Sequence, residues 1–345
     1  MSDFENRLRK NAKQRFKWAE REKVTAFRIY DLDMPEWPFA VDWYEGSAHV
    51  MEYPRRKQLR DGSIDEARAE VVRATAAALE LPPEKIFTKT HEKHAWGRAQ
   101  YERLGTRSTL VNVKEHGLTF ECNLSNYLDT GLFLDHQVTR ARVRQEASGK
   151  RFLNLFAYTG AFTVHALAGG AAETTTVDLS NTYCEWAERN FRLNGFEPRG
   201  KHQVIRADVL GWLEQGPSTS LGMNGEDGKF DLIVLDPPSF STSSKKMGRR
   251  FEVQRDHRWL VETARSLLSE QGVLYFSTNF LGFELDARFR DAEPVASLPG
   301  DFRRTVHRCW RFDGPVGVVD GVDRSPPRPA GDQKHHDQQH PPKRR

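Results

Sequence analysis

The sequence predicts an α/β protein: a doubly wound parallel sheet over residues 150–312, preceded by a smaller α+β domain at 1–108 and a bridging hairpin with a connecting helix at 109–149. Two observations carry this. From residue 151 onward, apolar runs alternate with amphipathic segments at intervals of about 25–30 residues, the spacing of βα units whose strands run parallel because each returns through a helix. Before that point helix-like and strand-like segments follow one another without such a repeat. Residues 313–345 are rich in Pro, Gly, Gln and charge and cannot build a core, so a disordered tail is expected there.

Residues 2–22 read as an amphipathic helix. Ser2 and Glu5 form a capping-box pattern, and Phe4, Leu8, Ala12, Phe16 and Ala19 fall on one face. The strand-like pieces TAFRIYDL and FAVDWYEGSAHVMEY follow, with Pro35 and Pro38 marking loops between them. A second helix is expected over 64–80, ended by Pro82-Pro83. A basic, glycine-containing stretch, KTHEKHAWGRAQYERLGTR, leads to the strands STLVNVKEHG and LTFECNL, and the Glu-His-Gly between them suits a hairpin turn. Then come strand RFLNLF and helix AFTVHALAGG, strand ETTTVDLS and helix NTYCEWAERNFRLNG, and KHQVIRADV with GWLEQG. DLIVLDPP with a helix over 253–269, and the strand GVLYFSTN, complete the sheet. The flexible run at 216–229 reads as a surface insertion.

Composition narrows the function classes. No apolar run approaches the roughly 18 residues a membrane span needs, and the first residues lack the apolar segment of a secretory signal. Cys122, Cys184 and Cys309 lie far apart with no C-x-x-C pair, which argues against a zinc site or a disulfide framework and suits a reducing cytoplasm. His335, His336 and His340 read as part of a solvated tail, and no metal is expected. The net charge is only +4, but positive charge clusters in RLRKNAKQRFKWAEREK, PRRKQLR at 54–60, KKMGRR at 245–250 and DFRRTVHRCWR at 301–311. Four basic patches interleaved with apolar residues fit a polyanion partner better than a small neutral substrate.

Three acids sit at consecutive strand ends: Asp178 closes TTTVD, Asp208 follows VIRA, and Asp236 ends VLD. Taken singly, each could be a helix cap or a loop carboxylate. Together with the small-residue turn AYTG (Ala157, Tyr158, Thr159, Gly160) they suit an adenosine: backbone approaches it at the turn and an acid accepts its ribose hydroxyls. No G-x-G-x-x-G and no G-x-x-x-x-G-K-[ST] loop is present to cradle a pyrophosphate or triphosphate. The expected cofactor therefore carries adenosine without phosphates, and S-adenosyl-L-methionine fits. The run VLDPPSF adds a strand end, two prolines that lock the following backbone, and an aromatic ring. Asp236, Pro237, Pro238 and Phe240 could grip a flat heteroaromatic group. The fold is then Rossmann-like, of the class I methyltransferase type.

Residues 126–136 (NYLDTGLFLDH), 153–160 (LNLFAYTG), 174–194, 232–240 (LIVLDPPSF) and 253–257 (VQRDH) closely resemble the RlmK family, the C-terminal half of fused bacterial 23S rRNA methyltransferases of the RlmKL type. The stretches ENRLRKNAKQRFKWA and FRIYDLDMPEWPFAVD extend the resemblance over residues 4 to 311. It implies methylation of ring nitrogen 7 of a 23S rRNA guanosine during large-subunit maturation, on 23S rRNA or a pre-50S particle. It also implies that Ala157 to Gly160 line the methionine part of the cofactor, that Asp178 holds the ribose, and that Asp208 with Val209 meets the adenine. Asp135, in GLFLDH, would face the cofactor, and Asp236, Pro237, Pro238 and Phe240 would shape the base pocket. The N-terminal domain would supply RNA contacts. The chain lacks the other half of the fused proteins, which leaves room for a separately encoded RlmL-like methyltransferase as a partner. Its NFLGFE segment carries no basic residue before Gly282.

Guanine nitrogen 7 bears a free lone pair, so transfer needs positioning and exclusion of water rather than a general base. Asp236 then orients the base instead of abstracting a proton. An exocyclic amine of guanine is the nearest alternative acceptor. Methylation of cytosine carbon 5 needs a cysteine nucleophile, and the place expected for one holds Thr278. Two further rivals remain: a non-catalytic RNA-binding protein, expected to lose one of the acids or the AYTG turn, and a methyltransferase for a small molecule or protein, less suited to the basic patches.

Overall fold

Ser2 holds the chain extended, and its hydroxyl accepts the Glu5 N–H at 3.2 Å, so helix α1 (Asp3–Glu22) starts where the capping pattern puts it. The computed structural model describes residues 1–90, 109–215, 229–241 and 251–315. The expected insertion up to Lys229, the KKMGRR patch, nearly all of the basic stretch at 89–107 and the tail beyond residue 315 lie outside them. Phe4, Leu8, Ala12 and Ala19 of α1 are buried, whereas Phe16 is 38% exposed, its ring lying edge-on to Phe27 and Trp43 at the border of the sheet.

Beneath α1 lies a four-stranded sheet in the order β1-β2-β3-β4. Strands β1 (Ala26–Asp31), β2 (Phe39–Tyr44) and β3 (Ser47–Glu52) form an antiparallel meander. Helices α2 (Arg56–Asp61) and α3 (Ser63–Leu79) then carry the chain to β4 (Ile86–Thr90), which pairs parallel to β3. Neither α2 nor β4 stands out in the sequence: α2 falls inside a basic run, and IFTKT is short and without a clean period. Hairpin β5 (Leu110–Glu115) and β6 (Leu118–Asn123) follows. It shares one apolar cluster with Ala26 and Tyr44 of the first sheet and with Val164 and Phe191 from beyond the hairpin. Inside this junction Glu115 accepts both arms of Arg140 at 2.7 Å from helix α4 (Gln137–Glu146).

The second sheet has seven strands. They are β7 (Arg151–Leu155), β8 (Glu173–Asp178), β9 (His202–Arg206), β10 (Phe230–Leu235), β13 (Leu268–Thr278), β14 (Glu293–Pro294) and β15 (Arg308–Asp313), in the order β14-β15-β13-β10-β7-β8-β9. A two-residue pair, β11 (Phe240–Ser241) with β12 (Phe251–Glu252), stands apart from it. Strands β9, β8, β7, β10 and β13 pair parallel, and β15 and β14 close the edge antiparallel. Both faces are covered, so side chains alternate between two buried layers. Leu232, Val234, Val273 and Tyr275 join the layer under α4 and α5 (Ala161–Ala168). Ile233, Leu235, Leu274 and Phe276 join the layer under α7 (Val209–Gln215) and α8 (Val253–Ser266). Helix α6 (Asn181–Leu193) joins β8 to β9. Helix α8 ends at Ser266, three residues short of the sequence expectation, because the chain turns straight into the eleven-residue β13.

One carboxylate ties the two sheets. Asp31, at the end of β1, accepts the backbone N–H groups of Arg303 and Arg304 at 3.0 and 3.1 Å and the guanidinium of Arg304 at 2.9 Å. Arg28 reaches it at 3.2 Å while also clamping Asp42 at 2.7 and 3.0 Å. Burial pushes the Asp31 carboxyl up, but Arg28 and Arg304 outweigh it and hold it below its ordinary value. Its stabilising effect is therefore present above the ordinary carboxylate range and is lost as pH falls through the lowered value. Asp31→Ala is expected to lower stability by about 3–5 kcal/mol in urea unfolding at neutral pH, and a change under about 0.5 kcal/mol would contradict this role.

Candidate active site

Register brings the site together. Leu155 pairs with Val177 on one side and with Leu235 on the other, so β7, β8 and β10 end in one row. The next residues, Phe156, Asp178 and Asp236, therefore emerge side by side at the carboxyl edge. Strand order also reverses at β7, with β8 on one flank and β10 on the other. Ligands bind outside the carboxyl ends at such a switch point. A cleft of about 1030 Å³, counting its open mouth, occupies this position. Asp135, Tyr158, Asp178, Asp208, Val209, Asp236, Pro237 and Pro238 all line it.

The remaining expected residues behave differently. Ala157, Thr159 and Gly160 are absent from the wall but build the turn behind it. Phe156 (φ 58°), Tyr158 (φ 52°) and Gly160 (φ 72°) are all left-handed. The Ala157 N–H donates to the Val177 carbonyl at 3.0 Å, and the Thr159 hydroxyl to the Gly131 carbonyl at 2.6 Å. Asn190 of α6 donates to the Thr159 carbonyl at 2.9 Å. A Cβ on Gly160 would lie 2.8 Å from the Ala187 methyl, so glycine lets α6 approach the turn. A Cβ on Gly131 would overlap Trp186 of the same helix. Phe240 lies between the lining residues Pro238 and Ser241, pairs with Glu252, and packs its ring edge-on against Phe280 at 5.7 Å.

Each acid has a distinct environment. Asp178 accepts the Tyr158 N–H at 2.9 Å on one oxygen and the Ser180 N–H at 2.8 Å on the other. Burial nevertheless pushes its carboxyl up to about 6. Asp208 precedes α7, and its side chain accepts the Leu210 N–H at 3.3 Å. Asp236 takes the Ser277 hydroxyl at 2.5 Å on Oδ1, and His136 Nε2 lies 3.5 Å from Oδ2. Asp135 sits in a 3-10 turn (Leu134–His136) and accepts His307 Nδ1 at 2.7 Å. Burial pushes its carboxyl up, but His136, the hydrogen bond from His307 and Arg28 outweigh it and hold the carboxyl below its ordinary range.

His136, His307, Tyr183 and Asn279 were not singled out by sequence reasoning. His136 directly follows Asp135 in LFLDH, which was the available signal. His307 lies in the 301–311 run, read above as a polyanion patch. The arginines of that run have protein partners: Arg303 pairs with Asp33 at 3.2 Å, Arg304 with Asp31, Arg308 with the Phe283 carbonyl and Arg311 with Glu146 at 2.8 Å. The three cysteines are free and buried, and burial raises every thiol, Cys184 to about 11 and Cys309 to about 12. Thr278, also buried, closes β13. No thiolate nucleophile is therefore held in the cleft. Among the described residues no helix is long and apolar enough to cross a membrane.

Comparison with known proteins agrees with this geometry. Residues 91–291 match a family described as S-adenosylmethionine-dependent methyltransferase. Ribosomal RNA large subunit methyltransferase K of Neisseria meningitidis serogroup B is 46% identical over 318 residues, which is 90% of this chain and 87% of the relative. Methyltransferase K/L of Hahella chejuensis is 46% identical over 316 residues, 90% of this chain but 42% of its own length, so the chain spans less than half of the K/L relative. Two solved structures share the fold. A putative methyltransferase complexed with SAH has a TM-score of 0.68 at 24% identity, covering 89% of this chain and 80% of that one. A SAM-dependent methyltransferase from Agrobacterium tumefaciens has 0.57 at 18% identity, covering 84% and 90%. The chain belongs to the S-adenosylmethionine-dependent methyltransferase family and takes S-adenosylmethionine as its cofactor.

Proposed function

We propose that this chain transfers a methyl group from S-adenosylmethionine to ring nitrogen 7 of a guanosine in 23S rRNA. The observation that carries the reading is the single row of strand ends, with cofactor acids at Asp178 and Asp208 on one flank and the rigid Asp236-Pro237-Pro238 turn on the other. The lining suits the cofactor: a carboxylate for the ribose hydroxyls, a second acid beside Val209 for the adenine amine, and Tyr158, backed by the rest of the Ala157 to Gly160 turn, on the side of the methionine part. When bound, the cofactor supplies an electrophilic sulfonium methyl. The chain's own contribution is placement and dryness. Asp236 orients the acceptor base, Pro237 and Pro238 fix the turn that carries it, and Phe156 and Tyr158 help exclude water.

The names of the K and K/L relatives support a large-subunit rRNA substrate. So does the outer face of α1, where Lys10, Lys13, Lys17 and Arg21 are exposed at helical spacing and suit phosphate contacts. The buried cysteines and Thr278 disfavour cytosine carbon 5. An exocyclic amine remains a second reading, because the Asp236 carboxylate accepts N–H donors.

With the Asp178 carboxyl near 6, protons compete with the ribose hydroxyls as pH falls through that value. Affinity for S-adenosylmethionine by calorimetry is expected to drop about tenfold from pH 7 to pH 5, and Asp178→Ala is expected to weaken it at least as much at pH 7. Binding indifferent to pH, or to the substitution, would contradict the ribose role. The acceptor atom is tested by methyl transfer to 23S rRNA from a strain lacking the modification, mapped by borohydride and aniline. Cleavage at a single guanosine is expected, and label incorporated without any cleavage would overturn nitrogen 7 in favour of the amine.

A further inference from the structure

His136 and His307 have no part in the roles assigned so far, yet His136 lines the cleft beside Asp236 and His307 stacks behind it. Their rings stack with centroids 4.0 Å apart and planes 14° apart, and both residues are buried, at 5% and 2% exposure. Each presents one nitrogen to a carboxylate: His307 Nδ1 lies 2.7 Å from Asp135 Oδ2, and His136 Nε2 lies 3.5 Å from Asp236 Oδ2. The opposite nitrogens, His136 Nδ1 and His307 Nε2, are buried without partners. A bare lone pair is easier to leave in such a place than an N–H, so on each ring the nitrogen facing the carboxylate carries the N–H. Burial pushes His136 below its ordinary value, which agrees with a neutral ring carrying one proton.

Asp135, His136 and His307 also approach metal-ligand spacing, with one donor atom from each inside a 4.8 Å cluster. Lone pairs of nearly parallel rings point side by side rather than to a common centre, so the set is not a tetrahedral chelate. It is arranged instead to hold Asp236 still. Ser277 fixes Oδ1 and His136 faces Oδ2, which leaves the remaining lone pairs of the carboxylate for the cleft. His136 is itself confined between His307 and the edge-on ring of Phe162 at 5.6 Å. Asp135 fixes His307 in turn.

We propose that His136 is the positioning residue that aims the Asp236 carboxylate at the acceptor base, with His307 and Asp135 as its brace. This rests on the reading of Asp236 as the base-orienting group. The 3.5 Å separation is longer than a formed hydrogen bond, as catalytic contacts often are before the acceptor is bound.

Two measurements on the full chain test it. In ¹⁵N-histidine NMR of the protein without RNA, His136 is expected as the Nε2–H tautomer and His307 as Nδ1–H. The reverse assignment of His136 overturns the proposal, whatever the RNA product proves to be. In single-turnover transfer to unmodified 23S rRNA, His136→Leu is expected to slow methylation about 30-fold while affinity for S-adenosylmethionine stays within about twofold. His136→Gln, whose amide nitrogen reaches the place of Nε2, is expected to recover to within about fivefold of the parent rate. A leucine variant at the parent rate, a glutamine variant as slow as leucine, or cofactor affinity lost in step with the rate would each overturn it. Should the parent protein methylate no RNA while showing the expected tautomers, the functional reading fails and the brace around Asp236 stands.

Discussion

The site depends on a turn held in a conformation its side chains disfavour. Phe156 and Tyr158 are left-handed without being glycine, which costs on the order of 1–3 kcal/mol each. The surroundings hold the turn there through hydrogen bonds from Ala157 to β8, from Thr159 to the Gly131 carbonyl, from Asn190 of α6 to Thr159, and above all from the Tyr158 N–H to Asp178. Asp178 thus has two tasks. The carboxylate proposed to receive the ribose also shapes the loop proposed to receive the methionine part, so the two halves of the cofactor site are built as one piece.

The half proposed to hold the acceptor base has a different origin. Asp236 is placed by the register of β10 on β7, a local consequence of parallel pairing. His307 comes from the far end of the chain and is delivered by a segment that Asp31 pins to the N-terminal sheet at Arg303 and Arg304. The N-terminal unit therefore does more than offer a basic surface: its buried ion pairs hold the segment that carries His307 to Asp135, a residue of the cleft wall. Arg303 and Arg304 are engaged in that attachment, while Lys10, Lys13 and Lys17 stay exposed on α1, where phosphate contacts are proposed.

Legibility in the sequence follows the range of the interactions. The βα alternation, the strand-end acids Asp178, Asp208 and Asp236, and the AYTG turn are local patterns, and the structure brings these acids to one cleft. Features set by distant partners were hidden. Arg304 reads as free charge until Asp31, 273 residues away, is seen to bind it. Phe240 reads as an exposed ring until Glu252 pairs with it and Phe280 meets its edge. His307 has no local signature, and its stacking on His136 spans most of the second unit. Phe16 holds the right helical phase yet lies at the sheet border, where the apolar face runs out.

The most direct test of the account is a crystal structure of the chain with S-adenosylhomocysteine. The ribose hydroxyls are expected within hydrogen-bond reach of Asp178, the adenine beside Asp208 and Val209, and the sulfur between the turn at Phe156 to Gly160 and Asp236. A ligand bound outside this cleft, or inside it with its sulfur turned away from Asp236, would contradict it.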